Sequence, residues 1–331
     1  MPDFLIRRGI RALNRKRLKE ISADNIELAQ AKTMQLVSLL RKSEIAVLTE
    51  KANEQHYEIP ASFFALVLGK HRKYSSCYYP TGKEDLSTAE QLMLEETVSM
   101  ARLADGQRIL ELGCGWGSLS LYMAQRFPKA QITAVSNSAS QKLYIDAEAA
   151  KRKIRNLKIV TADVNRFKPK EKFDRVVSVE MFEHMRNYDE LFARVRSWLK
   201  PSGKLFVHIF THRMFPYLFE DKAADDWMSR YFFSGGIMPS NHLFAYFAQG
   251  FRLAEQRVFS GTHYHLTAEH WLKNMDRHKS EVRAIFENVY GRAETSRWIN
   301  YWRVFFLAVS ELFRTRRGQE WNVCHYLFEK I

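Results

Sequence analysis

The middle of the chain alternates between short apolar runs and amphipathic stretches. Between residues 108 and 210 the apolar runs have the length of buried strands, and the stretches between them repeat their apolar positions with helical spacing. Such alternation predicts βαβ units that build a parallel sheet. The predicted strands are 108–112, 131–136, 157–161, 173–180 and 203–210, and the predicted helices are 118–126, 139–153 and 188–199.

The pattern changes after residue 210. Residues 211–250 are rich in aromatic side chains and predict a helical cap inserted over the carboxyl edge of the sheet. Two further apolar segments, 251–259 and 320–329, predict the last strands, with helices around 268–276 and 298–314 between them. The whole predicts an α/β fold with a mostly parallel, seven-stranded sheet.

The first part of the chain has a helical pattern up to about residue 55 and then an aromatic, turn-rich segment, 56–82. A helix is predicted over 87–104, with Ser87 as its cap and Glu90 completing a capping box. The net charge is +14, and part of it lies in the first twenty residues beside an apolar stripe. This basic helix either lies on an anionic membrane, contacts nucleic acid or packs on the domain with its charges in water.

Composition narrows the function classes. The three cysteines, Cys77, Cys114 and Cys324, lack Cys-x-x-Cys spacing, so neither a disulfide framework nor a metal site is predicted. No apolar run has the length of a membrane span, and no secretory signal is recognised. A cytoplasmic location is expected. No RNA-recognition motif is visible, so a nucleic-acid partner is not expected.

Glycines at alternate positions mark the turn after the first predicted strand. Gly113, Gly115 and Gly117 follow the acidic Glu111 and precede a helix. A dinucleotide fingerprint would have the spacing Gly-x-Gly-x-x-Gly. The observed Gly-x-Gly-x-Gly spacing instead resembles motif I of class I S-adenosylmethionine-dependent methyltransferases, in which this loop accommodates the methionine end of the cofactor.

The loops after the next two strands carry further candidate cofactor residues. In open α/β sheets, ligands bind outside the carboxyl ends of the strands. Asn137 and Gln141 follow the second strand and can bind ribose hydroxyls in place of the usual acidic residue. Asp163 and Val164 follow the third strand and offer a carboxylate and a backbone amide to an adenine ring.

Two sets of short motifs are spread along the chain. The first set is His56-Tyr57, Tyr74-Ser75, Gly113–Gly117, Met181–His184 and His263-Tyr264; the second is Lys73–Tyr78, Asp226-Trp227, Arg230–Gly236 and Glu320-Trp321. The first set resembles the cyclopropane-fatty-acid synthase family, and the second resembles its branch containing plant coclaurine N-methyltransferase. The resemblance runs from about residue 45 to the C-terminus and implies a Rossmann-like methyltransferase domain over 87–331. It also implies a cofactor-covering N-terminal segment, 1–86, in which Tyr74 and Ser75 join the cofactor site.

The end of the fourth strand carries candidate catalytic residues. Glu180 and His184 are four residues apart, so a helical turn would place them on one side of the backbone. A carboxylate beside an imidazole makes the imidazole a better proton acceptor near neutral pH. This pair suits methylation of a small secondary amine, which must lose a proton.

An alternative stays open, because other members of the family methylate an alkene of an unsaturated phospholipid and close a cyclopropane ring. By resemblance, Glu183, His208 and Tyr264 would then surround a bicarbonate base. Two family cysteines are replaced in this chain by Ser76 and Val309. The positive charge would favour an anionic phospholipid surface over a cationic amine. The motifs favour the amine, with the lipid as the alternative.

Overall fold

The computed structural model describes residues 1–22, 25–47, 59–220 and 226–331. His56 and Tyr57 therefore lie outside the described residues. The strands are β1 Arg108–Leu112, β2 Gln131–Ser136, β3 Leu157–Thr161, β4 Phe173–Val179, β5 Leu199–His212, β6 Tyr217–Leu218, β7 Ile237–Met238, β8 Phe251–Phe259 and β9 Trp321–Lys330. The helices are α1 Asp3–Ile21, α2 Ile26–Arg41, α3 Ala61–Val67, α4 Leu86–Met100, α5 Ser118–Arg126, α6 Ala139–Lys151, α7 Tyr188–Trp198, α8 Trp227–Tyr231, α9 Gly261–Arg277, α10 Lys279–Tyr290 and α11 Arg292–Arg314.

Seven strands form one sheet in the order β3-β2-β1-β4-β5-β9-β8. β1 to β5 pair in parallel, and β9 runs antiparallel to both β5 and β8. The order reverses direction at β1, so the loops after β1 and β4 open the crevice in which ligands of such sheets bind. The fold is the predicted α/β sheet.

Both faces of the sheet are apolar because both are covered. Leu110 and Val176 point to one face and pack with α7, whereas Ile109 and Val177 point to the other and pack with α4 and α5. Successive side chains of a strand alternate between faces, so a strand buried on both sides needs a continuous apolar run. This explains why the central strands were readable from the sequence.

The cover over the carboxyl edge has two parts. Residues 211–250 supply the antiparallel pair of two-residue strands β6 and β7, the five-residue helix α8 between them and a 3-10 turn, Leu243–Tyr246. The three longer helices of the cover, α9 to α11, come from the segment between β8 and β9. The sequence pattern indicated α9 and α11 but not α10 as a separate helix. The division of the chain at residue 86 stays a prediction.

Helix α4 corrects one prediction. It begins at Leu86, and Asp85 caps it by accepting a hydrogen bond from the backbone N–H of Thr88 at 2.8 Å. Ser87 as the cap was therefore wrong. Glu90 does not complete a capping box either, because its carboxylate accepts backbone N–H groups of the preceding loop, those of Gly69, His71 and Lys73.

The basic helix α1 packs on the domain through ion pairs. Arg7 lies 2.6 Å from Glu269 and 3.0 Å from Glu311, and Arg11 lies 2.6 Å from Glu311, whose side chain is 2% exposed. The helix thus packs on the domain, as one alternative expected, but Arg7 and Arg11 form ion pairs inside the molecule, whereas that alternative placed the charges in water. None of the helices within the described ranges combines the length and apolarity needed to cross a membrane.

Candidate active site

The glycine loop between β1 and α5 has a left-handed backbone. Gly113 has φ +78°, and a Cβ atom built there would lie 2.7 Å from Cβ of Met181. Gly117, also at φ +78°, caps α5, and its Cβ would lie 2.7 Å from Cγ1 of Ile145. Side chains at these positions are excluded by conformation and by contact. The loop can therefore lie close to the neighbouring β4 turn and to α6.

Two adjoining cavities open at the carboxyl ends of the strands. The large cavity encloses about 1370 Å³ and the small cavity about 760 Å³, both including their mouths. Gly113, Met181 and His184 line both, so the cavities meet beside the glycine loop and the turn after β4. The large cavity is lined by Tyr74, Ser75, Gly115, Gln141, Glu180, Glu183 and Tyr264 among others, and the small cavity by Asn137, Asp163 and Val164 among others.

All but two of the site residues expected from the sequence therefore line a cavity. Gly117 acts through the position of α5, and His208 lies behind the cavity wall with no exposed surface. Asp163 also has a local contact, because its Oδ1 accepts the backbone N–H of Asn165 at 2.7 Å. Gln141 is held by Ser136, whose hydroxyl donates to its Oε1 at 2.6 Å. Both side chains are thus fixed in place.

Glu180 is the centre of the large cavity's polar wall. Its φ of +45° is unusual for a residue with a side chain. Strand β4 ends at Val179, one residue before the predicted end at residue 180. Oε1 of Glu180 accepts the backbone N–H of Ser76 at 2.8 Å and lies 3.1 Å from Nε2 of His208. Its Oε2 accepts the hydroxyl of Tyr264 at 2.6 Å. Strained backbone held by such contacts is common at functional sites.

Buried charge surrounds this carboxylate. Burial raises the pKa of Glu180, while Lys73, Tyr264 and the Ser76 amide favour its ionised form and oppose that rise. Lys73 is 2% exposed, and its ammonium donates to the backbone carbonyl of Ser76 at 2.7 Å. Burial also lowers the pKa of Lys73. Lys73 belongs to the Lys73–Tyr78 motif, but only the structure shows that its side chain is buried beside Glu180.

Glu183 and His184 follow on a 3-10 turn. Burial, and then the charge of Glu180, raise the pKa of Glu183 well above its ordinary value. Its Oε2 has no hydrogen-bond partner among the described residues. The ring of His184 lies 4.7 Å from that of Phe233. The imidazole at hydrogen-bonding distance from Glu180 is that of His208, whereas the expected pairing with His184 remains a prediction.

The residues assigned by resemblance to a bicarbonate have a different partner. The Ser76 amide, His208 and Tyr264 all bind the carboxylate of Glu180. A side chain of the protein thus takes hydrogen bonds that the cyclopropane alternative reserves for the bound base. No local sequence pattern indicates this arrangement, because the groups come from four separate segments.

Comparison with known proteins identifies the chain. A sequence model of the family described as mycolic acid cyclopropane synthetase matches residues 47–323. The chain belongs to this family. It is 36% identical to (S)-coclaurine N-methyltransferase of Thalictrum flavum subsp. glaucum, over 100% of this chain and 92% of that protein. Cyclopropane-fatty-acyl-phospholipid synthase of Escherichia coli K12 is more distant, with 27% identity over 92% of this chain and 78% of the synthase.

The fold agrees with that membership. A crystal structure of coclaurine N-methyltransferase bound to N-methylheliamine and SAH superposes with a TM-score of 0.96 and 35% identity, covering 100% of this chain and 96% of that one. The chain is therefore an S-adenosylmethionine-dependent methyltransferase of this family.

The residues of the two cavities fit this cofactor. The loop of Gly113 and Gly115 leaves space in the large cavity, since a Cβ at Gly115 would meet nothing within 4 Å. Asn137, Asp163 and the backbone of Val164 supply polar groups in the small cavity. No group of three or more potential metal ligands is found among the described residues.

Proposed function

We propose that this enzyme methylates the nitrogen of a small secondary amine of alkaloid type. The observation that carries the proposal is the carboxylate of Glu180, which is fixed by three donors in the wall of an aromatic cavity. The similarity to an enzyme named for coclaurine N-methylation supports the same class of acceptor.

The walls of the large cavity suit a flat, apolar amine. Aromatic rings bury large apolar areas and interact favourably with a positive charge placed over their faces. A substrate with fused rings and one ammonium group would therefore match both the aromatic lining and the carboxylate of Glu180. The Phe, Trp and Tyr residues that line the cavity are Phe210, Phe219, Phe233, Phe305, Phe313, Trp116, Trp271, Tyr74 and Tyr264.

We propose that Glu180 and His184 form the acid–base pair. A carboxylate has about four acceptor positions, and three are occupied in Glu180, so one can accept an ammonium N–H of the substrate. His184, which lines both cavities, then takes the proton that must leave before the nitrogen lone pair can react. S-adenosylmethionine supplies the activated methyl group. Orientation of the two reactants provides much of the acceleration.

The lipid alternative has weaker support. Its proposed base would need the Ser76 amide, His208 and Tyr264, which already bind Glu180. Glu183 would be the fourth group of that set, and its carboxyl oxygen Oε2 has no partner in the described part of the chain.

Labelled cofactor distinguishes the two chemistries. The enzyme is incubated with methyl-labelled S-adenosylmethionine and either a panel of secondary and tertiary cyclic amines or vesicles of unsaturated phospholipid, and products are fragmented in a mass spectrometer. We expect label on the nitrogen of a secondary amine. Vesicles and already methylated amines are the controls, and label found only in lipid would contradict the proposal.

Two further proposals concern the enzyme's surroundings. We propose that residues 1–86 cover the cofactor, because Tyr74 and Ser75 line the large cavity. We also propose a cytoplasmic location, since all three cysteines are free and buried, as expected in a reducing compartment. Fractionation of cells tests the location. Membrane contact through α1 has little support, because Arg7 and Arg11 are bound to Glu311.

A further inference from the structure

The imidazole of His325 lies behind that of His208, on the side away from Glu180. His208 on β5 pairs in register with His325 on the antiparallel strand β9. Nε2 of His325 lies 2.8 Å from Nδ1 of His208, and neither side chain has any exposed surface. The hydrogen bonds therefore run from Tyr264 through Glu180 and His208 to His325. His325 takes no part in the acid–base chemistry proposed for Glu180 and His184.

These hydrogen bonds determine which ring nitrogens of His208 and His325 carry a hydrogen. Ionised Glu180 is an acceptor only, so Nε2 of His208 must carry a hydrogen. A neutral His208 then has a lone pair on Nδ1, and His325 must donate from its own Nε2. This leaves Nδ1 of His325 as a lone pair, and that atom has no hydrogen-bond partner among the described residues. The opposite arrangement would bury an N–H without an acceptor, which is rarer in proteins.

Both imidazoles are kept neutral by their surroundings. Burial, and then the charge of Lys73, lower the pKa of His208 well below its ordinary value. Burial also lowers the pKa of His325, with smaller contributions from His208, Lys73 and Arg257. The rings of Phe206 and Phe259 lie 5.0 and 4.6 Å from that of His325 and close the site.

Glu180 depends on which nitrogen of His208 carries the hydrogen. With the hydrogen on Nε2, the imidazole stabilises the carboxylate; with the hydrogen on Nδ1, a lone pair would face the carboxylate and favour its protonated form. The other groups acting on Glu180 are Lys73, the Ser76 amide, Tyr264 and the neighbouring Glu183. None of them is hydrogen-bonded to the ring of His208, whose partners in the described part of the chain are Glu180 and His325.

We propose that His325 is a positioning residue: by donating to Nδ1 of His208 it fixes the tautomer that holds Glu180 as an ionised acceptor for the substrate's ammonium group. The inference rests on the role proposed for Glu180. It assigns a function in substrate recognition to a buried side chain on the last strand, one layer behind the cavity wall.

The variants His325→Gln, His325→Asn and His325→Leu test this role. The Gln amide can donate from the position of Nε2, the Asn amide ends near Nδ1 and falls short of His208, and Leu cannot donate at all. We expect the Leu and Asn variants to move the acid limb of kcat/KM for the amine up by about one pH unit, a tenfold loss on that limb. The Gln variant should keep the wild-type profile and the cofactor Kd should be unchanged in all three.

Spectroscopy measures the tautomer directly. In protein labelled with ¹⁵N-histidine, the two ring nitrogens of His208 should report hydrogen on Nε2 in the wild type and the Gln variant, and a changed distribution in the Leu and Asn variants. If Leu does not fold, the Gln and Asn pair gives the same comparison. An unshifted acid limb in the Asn variant, or an unchanged tautomer of His208, would overturn the proposal.

A failure of the proposed function and a failure of the role of His325 would give different results in these measurements. If the wild-type enzyme methylated no amine, the profile could not be recorded and the function itself would be contradicted, while the NMR comparison would still decide whether His325 sets the tautomer. If the amine is methylated and the tautomer does not respond to position 325, only the role of His325 is overturned.

Discussion

The carboxyl edge of the sheet carries a different kind of site at each of its two ends. At the end of β1 to β3, the candidate cofactor residues that line the small cavity lie in the loops directly after the strands; they are Gly113, Asn137, Asp163 and Val164. At the end formed by β4, β5 and β9, the polar side chains come from distant segments: Glu180 and Tyr264 line the large cavity, and His208 contacts Glu180 from behind the wall. The cofactor end depends on local geometry and the acceptor end on long-range contacts.

The two ends differ in how many segments of the chain shape them. The shape of the glycine loop follows from a few residues in sequence. The carboxylate of Glu180, in contrast, is held by the Ser76 amide, His208 and Tyr264, which come from three other segments. Substitutions at the two ends should therefore affect different kinetic quantities.

The largest effect is expected at the acceptor end. Glu180→Gln removes the negative charge that would hold the ammonium group, so kcat/KM for the amine should fall by about 10³. The cofactor Kd, measured by calorimetry, should change little. Glu320→Gln is the matched control, since Glu320 is another buried glutamate paired with a histidine, His212, at 3.1 Å. Equal losses of kcat/KM in the Glu180→Gln and Glu320→Gln variants would contradict a specific role of Glu180 at the acceptor end.

A smaller effect is expected from the glycine loop. Gly113→Ala places a Cβ against Met181 at a φ of +78°, so the loop must shift and cofactor affinity should fall by roughly a hundredfold. Gly106→Ala is the control, because it has φ +80° and nothing within 4 Å of the added atom. Calorimetric titration with the cofactor measures both. A normal cofactor Kd in the Gly113 variant would show that the loop does not shape the site.

Stability at the cofactor end should depend on pH through Glu111. Burial raises the pKa of this carboxyl to about 7, so the folded state retains its proton more strongly than the unfolded state. The free energy of unfolding should therefore fall as pH rises from about 4.5 to 7, by at most about 3 kcal/mol from this residue. Urea titrations between pH 5 and 8 should give a flatter curve for Glu111→Gln. Exposed Glu171→Gln is the control, and an equally steep Glu111→Gln curve would contradict the assignment.

The smallest effect concerns the proposed adenine partner. Asp163→Asn keeps an oxygen for the backbone N–H of Asn165 but removes the charge. We expect cofactor affinity to fall by about tenfold, the value of a hydrogen bond to a charged group, with KM for the amine unchanged. Asp85→Asn, at the cap of α4, is the control. A change confined to amine KM would place Asp163 at the wrong end of the site.

The sequence by itself determined the sheet, the glycine loop and the placement of the candidate cofactor residues after the strands. Buried parallel strands require continuous apolar runs, and the Gly-x-Gly-x-Gly turn and Asp163 each follow a strand directly, so these features follow from neighbouring residues. The antiparallel edge strand Phe251–Phe259, which is buried only at its two ends, was also correct to the residue.

The tertiary structure decided what surrounds Glu180. The sequence placed it four residues before His184, but β-sheet pairing brings His208 to its carboxylate and sets His325 behind that ring. The cap of α4 likewise moved from Ser87 to Asp85. Local patterns report the burial and periodicity of one segment, whereas hydrogen-bond partners from β4, β5, α9 and β9 depend on the order in which those elements pack. That order, and with it the acid–base environment, is fixed only when the chain has folded.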